Sequence, residues 1–317
     1  MNKLATNRNY WYVISLVALI PGTIALILWG LNLGIDFTGG TIWELQFEES
    51  IESEQIQSVL AANGYQDAVV QVSSEGGLTD NVAIIRMEEL AQLAPEKQMM
   101  EEGFAEEIGP FIELQVSTVG SSISSDISQK AVIAIAAASV GIMLYIAFAF
   151  RNTQNPLLYA LCAIVGMLHD VLLVLGFFAI IGEFFDTQID ALFVTAILTI
   201  IGFSVHDTIV VFDRIRENLA RQVAPSFQEV VNYSLAQTIV RSVNNSLTVV
   251  FTLLALYLFG GESTRTFVLA LLIGVITGTY SSIFNASQLL VSWEMGDFQR
   301  WWSRLRRREA GTAAAVS

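Results

Sequence analysis

Six apolar stretches run along this 317-residue chain, at roughly 11–31, 131–150, 157–181, 189–211, 239–259 and 266–291. Each is about the ~20 residues needed to cross a hydrocarbon core about 30 Å thick, at about 1.5 Å per helical residue. No water in that core satisfies backbone N–H and C=O groups, so each stretch is required to be a helix. Composition agrees. Hydrophobic residues make up 53% and charged residues 15%, against about 25% charged in ordinary soluble domains.

Basic residues orient the helices. In a six-span topology eleven Lys/Arg, from Lys3 and Arg8 through Arg151, Arg214, Arg216 and Arg221 to the Arg300–Arg308 cluster, fall on one side. Only Arg86, Lys97, Lys130 and Arg265 fall on the other, and Arg241 lies within a span. The positive-inside rule then places both termini in the cytoplasm. The first stretch is longer than the h-region of a secretory signal and lacks a small-residue cleavage site, so it is expected to be a retained anchor. Cys162 is the single cysteine; no intrachain disulfide is possible, and redox compartment stays unread. The net charge of −14 argues against a nucleic-acid partner. At the C-terminus, Trp301, Trp302 and the arginines up to Arg308 combine interfacial aromatics with attraction to anionic membrane lipid.

Residues 32–129 interrupt the membrane pattern. Between Asp36 and Asp126 there are 18 acidic residues against Arg86 and Lys97, a net of −16. Thr41–Phe47 alternates as a strand, and Ser53–Asn63 reads as a helix capped by Ser53 and stopped at Gly64. Ala68–Val72 and Val82–Met87 read as strands around a turn with Gly76-Gly77. Pro95–Ile108 is a charged helix, and Phe111–Val119 a last strand. The string β-α-β-β-α-β is the ferredoxin-like arrangement. Gly39-Gly40 supplies a reversal into the first strand; no helix or Lys follows to make it a phosphate loop. The expected fold class is therefore an α-helical polytopic membrane protein of six transmembrane helices, with an exported α+β ferredoxin-like domain between helices 1 and 2. Its divisions are 1–31, 32–129, 130–293 with a cytoplasmic segment at 212–238, and a basic tail at 294–317.

Two histidines occur in the chain, and each precedes an aspartate inside an apolar stretch: His169-Asp170 and His206-Asp207. A carboxylate at the bilayer centre costs at least ~2.5–3.5 kcal/mol. Asp207 lies about 9 Å along its helix from Asp213, inside the inner half of the bilayer. Arg241, near the start of the next span, is the expected partner. An Asp beside an Arg favours ionisation and a desolvated Asp alone favours the proton, so a motion that separates the two moves a proton. The same pair equally serves as a buried register device. Consecutive helical residues point about 100° apart, so neither His is expected to share its Asp's direction. His169 and His206, with Thr208, Asp170 and Asn244, are candidates for a proton relay or for polar support. No third ligand at helical spacing accompanies the His-Asp pairs, so neither a metal nor a cofactor is expected. Gly202, Gly274, Gly278 and Ser282 provide small positions for helix packing. Between the fourth and fifth stretches, Asp213–Arg216 and Glu217–Arg221 have ion-pair spacing on an amphipathic helix. This segment reads as a membrane-edge helix or as a docking site.

Four segments carry a resemblance. They are Gly34 through Thr41 (GIDFTGGT), Ile201 through Asn218 (IGFSVHDTIVVFDRIREN), Arg241 through Thr248 (RSVNNSLT) and Gly278 through Phe284 (GTYSSIF). Together they resemble the SecF family, the smaller members of the SecD/SecF protein-export group within the RND superfamily. The chain departs from that family at Val119 through Ser124 (VGSSIS), where a Val-Gly-Pro-x-Val-Gly pattern is common. The resemblance implies a six-span unit in a bacterial plasma (inner) membrane, paired with SecD beside the SecYEG channel, with YajC as a further companion. It implies use of the proton-motive force to assist preprotein translocation, the preprotein meeting the exported domain. It also implies that Asp207 and Arg241 are the proton-coupling residues; with no triad, metal site or nucleotide loop in the sequence, the chain is not expected to be an enzyme. The rival expectations are a proton-coupled exporter of small molecules or lipids, and a non-conducting translocon scaffold.

Overall fold

The structure is a computed structural model that describes residues 5, 7–73, 81–90, 95–261, 264–297 and 300. The chain divides into two compact units, one of residues 33–132 and one of residues 1–32 with 133–317. The Gly76-Gly77 turn and the Trp301–Arg308 run lie outside the described residues.

In the first unit the order is α2 (Ile35–Thr38), β1 (Gly40–Phe47), α3 (Ser53–Ala62), β2 (Val69–Ser73), β3 (Val82–Met87), α4 (Pro95–Glu107) and β4 (Phe111–Val119). The strands form one antiparallel sheet in the order β2-β3-β1-β4, the ferredoxin-like arrangement expected from the sequence. The alternation on β1 buries Thr41, Trp43, Leu45 and Phe47 on one face. There they meet Ala83, Ile85 and Met87 of β3 and the apolar sides of α3 and α4, centred on Ile56, Leu60, Met100 and Phe104. The Phe104 ring lies edge-on to Trp43 and Phe111, at 5.7 and 6.2 Å. A Cβ at Gly103 would stand 2.8 Å from Val59 Cγ1, so a missing side chain lets α4 lie close to α3.

Local chemistry corrects one expected cap. Helix α3 starts from Glu52 rather than Ser53: the Gln55 side chain accepts the Glu52 N–H at 3.0 Å, half of a capping box. At the entry to β1, Gly39 and Gly40 have φ of 76° and 120°, and a Cβ on Gly40 would sit 2.6 Å from the Met87 carbonyl oxygen. The turn therefore needs glycine twice, once for conformation and once also for space. Lys97 of α4 pairs with Glu113 at 2.7 Å beneath the Trp43 ring. Burial works against its charge, but the Glu113 and Glu101 carboxylates outweigh that and raise the ammonium above its ordinary value.

The described residues contain six helices long and apolar enough to cross a membrane. They are α1 (Arg8–Leu28), α5 (Ser121–Ala149), α6 (Pro156–Phe185), α7 (Ala191–Ala220), α8 (Phe227–Phe259) and α9 (Arg265–Ser281). The last continues through a π-helical turn, Ser282–Ala286, into α10 (Ser287–Glu294). Several run well past the apolar stretches, because hydropathy marks the embedded part of a helix while hydrogen bonding continues beyond it. Their starts are chemically marked: Pro156 opens α6, Asp190 Oδ1 accepts the Phe193 N–H at 3.0 Å to cap α7, and Ser226 caps α8 through Glu229.

Helices α6, α7 and α9 form the centre of the helical unit. Two contacts show how small residues set their spacing. Gly22 of α1 meets Gly176 of α6 so closely that a Cβ on Gly176 would come 2.6 Å from the Gly22 Cα. A Cβ on Gly274 of α9 would come 2.3 Å from Ile200 Cγ1 of α7. With lipid as apolar as leucine, such close backbone approach is a main source of helix association.

Candidate functional site

The buried face of α7 reads Ile197, Ile200, Ile201, Ser204, Asp207, Thr208 and Val211, which is helical spacing on one side. The opposite side, Thr195, Thr199, Gly202 and His206, is exposed. Asp207 is 3% exposed, and its Oδ2 has no hydrogen-bond partner among the described residues. Just beyond it, Thr208 Oγ1 donates within 3.0 Å to the Ser204 carbonyl or to Ser282 Oγ of α9.

Arg241 does not meet Asp207. Its side chain is exposed on α8, and Asp207 Oδ2 stays unpaired, so the ion pair expected from the sequence is not formed within this chain. Similar depth along neighbouring helices did not determine rotation: Ser242 and Ser246 face inward, and Arg241, Asn244, Asn245 and Thr248 face outward.

The second His-Asp pair has the opposite character. Asp170 of α6 has no exposed surface. Its Oδ2 accepts from Ser204 Oγ of α7 at 2.5 Å and from Ser281 Oγ of α9 at 2.6 Å. Its Oδ1 lies 3.0 Å from His169 Nδ1. The sequence argument that adjacent side chains diverge on a helix misjudged this contact, because the rings and carboxylates are long enough to turn back toward each other. His169 Nε2 in turn lies 3.1 Å from Asn285 of the π turn, whose Oδ1 accepts from Ser15 of α1 at 2.7 Å. One chain of polar contacts thus joins α1, α6, α7 and α9.

The small residues fall into two groups. Gly274 and Gly278 pack against α7 at Ile200 and Ser204; a Cβ on Gly278 would also lie 3.6 Å from Asp170 Oδ2. Ser282 Oγ lies within hydrogen-bond reach of the Ser204 and Gly278 carbonyls, at 3.1 and 2.8 Å, and donates to one or the other. Gly202 differs, since a Cβ there would meet nothing within 4 Å, so the packing role expected for it is not met by the described residues. Sequence reading missed Asn285, Ser281 and Ser15 as partners of the His169-Asp170 pair. The available signal was a set of small polar residues at depths matching a buried acid. Among the described residues no group of His, Cys, Asp and Glu is arranged to hold a metal. At the C-terminal end of α7, Asp213–Arg216 and Glu217–Arg221 form the expected pairs, each at 2.6 Å.

Comparison with known proteins bears on this arrangement. Residues 101–296 match the family described as protein export membrane protein SecD/SecF, C-terminal, and residues 30–51, around Gly39-Gly40, match the SecD/SecF GG motif. The chain is 53% identical over 311 residues to protein translocase subunit SecF of Thermobaculum terrenum, covering 96% of this chain and 98% of that one. It is 38% identical over 307 residues to protein translocase subunit SecF of Anaerolinea thermophila, again covering 96% and 98%. Its structure resembles the crystal structure of SecDF, a translocon-associated membrane protein, from Thermus thermophilus, with a TM-score of 0.76 and 31% identity. That likeness covers 92% of this chain but only 38% of the SecDF chain. With six membrane-capable helices, a ferredoxin-like unit opened by a Gly-Gly turn and these relatives, the chain is a multi-pass membrane protein that belongs to the SecD/SecF family of protein export membrane proteins.

Proposed function

We propose that this chain is the SecF-type half of a SecD–SecF assembly that uses the proton-motive force to assist preprotein translocation through SecYEG. The observation that carries the reading is Asp207, a buried acid with an oxygen that nothing among the described residues satisfies. Buried polar atoms are nearly always paired, so an orphan calls for a proton or for a partner outside the chain.

The neighbouring surface favours a partner. Thr195, Thr199, Gly202 and His206 on α7, and Arg241, Asn244, Asn245 and Thr248 on α8, are exposed within membrane-length helices. An Arg and two Asn facing hydrocarbon within a span are costly, so such a face belongs against another protein. A similar bundle contributed by SecD covers it and completes the site. Cycling then follows from elementary electrostatics: a carboxylate isolated from water keeps its proton, and one brought beside a guanidinium gives it up. A rearrangement between the two bundles that brings Arg241 to Asp207 exchanges a proton with one side of the membrane. Reversal exchanges it with the other. No covalent reaction is involved.

The distribution of basic residues supports a topology with both termini in the cytoplasm and the acidic unit of residues 33–132 outside a bacterial plasma membrane, where it meets the emerging preprotein. SecYEG and YajC are companions of the assembly rather than contributors to this site. Asp207→Asn in SecD–SecF reconstituted with the translocon tests the reading. Proton-driven translocation is expected to vanish while the complex still co-purifies; export that persists under a proton gradient identifies a scaffold instead.

A further inference from the structure

We infer that Asp170 is a positioning residue for the proton-coupling segment of α7, acting through Ser204. The inference deepens the proton-coupled reading above and rests on it.

Ser204 stands one helical turn before Asp207, and both of its polar groups are anchored. Its hydroxyl donates to Asp170 Oδ2 at 2.5 Å, and its carbonyl accepts from Thr208 Oγ1 at 3.0 Å and Ser282 Oγ at 3.1 Å. Thr208 Oγ1 also reaches Ser282 Oγ of the π turn at 3.0 Å, so the five residues from Ser204 to Thr208 are held at both ends, and Asp207 lies between the anchors. On the α6 side, Asp170 is itself fixed. Two serine hydroxyls from α7 and α9 donate to one oxygen of Asp170, at 2.5 and 2.6 Å. His169 supplies the third donor, and Asn285 facing Nε2 assigns the Nδ1–H tautomer to it. A buried network satisfied in this way specifies one register of its helices.

The clamp also has a second arrangement within reach. Ser281 Oγ lies 3.2 Å from the Gly278 carbonyl, so its proton can leave Asp170 without being stranded. A helical serine such as Ser204 can likewise bond back to the preceding turn. Gly278 makes the close approach possible, since a Cβ there would lie 3.3 Å from Ser204 Cβ. Other titratable groups on the packed elements are Tyr280 on α9, whose ring centroid is 6.5 Å from that of His169, Tyr12 on α1, and His206 and Asp207 on α7. None of these is hydrogen-bonded to Asp170 among the described residues; His169 is.

The test measures proton-driven preprotein translocation and its pH midpoint in reconstituted SecD–SecF carrying Asp170→Asn, Ser204→Ala or Asp207→Asn. Both of the first two variants are expected to lower the rate per assembled complex, by about tenfold or more for Asp170→Asn, the scale for a slightly misplaced reacting group. Both are expected to displace the pH midpoint in the same direction. A rate that falls only with the amount of assembled complex, at an unchanged midpoint, makes Asp170 merely structural and overturns the inference. So does a wild-type rate in Ser204→Ala, which decides alone if Asp170→Asn does not assemble. Persistence of proton-driven export in Asp207→Asn defeats instead the reading on which the inference rests.

Discussion

The dipeptide His-Asp occurs twice within the apolar helices, and its two copies have opposite environments. Asp170 is enclosed by three side-chain donors from three helices, and His169 turns inward with it. Asp207 is nearly as deeply buried, yet one oxygen lacks a donor and His206 points outward. A buried acid whose hydrogen bonds are complete inside one chain serves register. One left incomplete requires something from elsewhere, either a proton or a second protein. Burial alone does not separate these cases; the donor inventory does.

The sharpest way to break that contrast is to delete each carboxylate and measure stability. Asp170→Ala breaks three side-chain bonds between helices: two hydroxyls fall back on carbonyls of their own helices, and the imidazole N–H is stranded. Intramembrane hydrogen bonds average about 0.6 kcal/mol and reach ~1.7, and a stranded buried donor costs about 1–3. A loss of about 2–4 kcal/mol is therefore expected for Asp170→Ala in thermal or denaturant unfolding of the full chain in detergent. Asp207→Ala removes an acid one of whose oxygens already lacks a partner, and should cost well under about 1 kcal/mol or stabilise the isolated chain. Equal losses would show that the two sites do not differ in the way the donor geometry says.

Glycine gives the next largest effect. At Gly274 an added methyl must displace Ile200, and overpacking of this kind costs about 1–3 kcal/mol. Gly202→Ala meets nothing within 4 Å and replaces a poor helix former, so the isolated chain should gain up to about 1 kcal/mol. If SecD covers the outward face of α7, the same variant weakens co-purification of the pair. Gain in the monomer with loss in the complex is the expected signature.

These differences mark the limit of what the sequence made legible. Hydropathy over about 20 residues is a one-dimensional property, and it located all six helices. The same is true of the alternation in Thr41–Phe47 and of the i, i+3 and i, i+4 spacing in Asp213–Arg216 and Glu217–Arg221, all of which appear as expected. What could not be read is rotation. Whether Arg241 turns toward Asp207, or His169 toward Asp170, depends on how three helices pack, and a shift of one position on a helix moves a side chain by about 100°. Nor does hydropathy contain the π turn at Ser282–Ala286, which carries both Ser282 and Asn285. The Gly274-Gly278-Ser282 spacing was legible because close packing demands small residues wherever the partner stands, whereas Gly202, equally small, faces outward.

The smallest predicted effect isolates the histidines. His169→Phe keeps a ring of similar width in an 11%-exposed position but loses the bonds to Asp170 and Asn285. Two intramembrane bonds of that kind correspond to about 1–2 kcal/mol. His206→Phe breaks no hydrogen bond with a described residue and should stay within about 0.5 kcal/mol in the isolated chain, as exposed substitutions do. Each change removes one polar ring beside an aspartate, so composition and hydropathy change alike. Any difference between them therefore reports the direction of the ring. A comparison of the two unfolding midpoints in the same detergent measures it. If His206→Phe proves the more damaging of the two without SecD present, His206 has an internal partner and the outward assignment of that face of α7 fails.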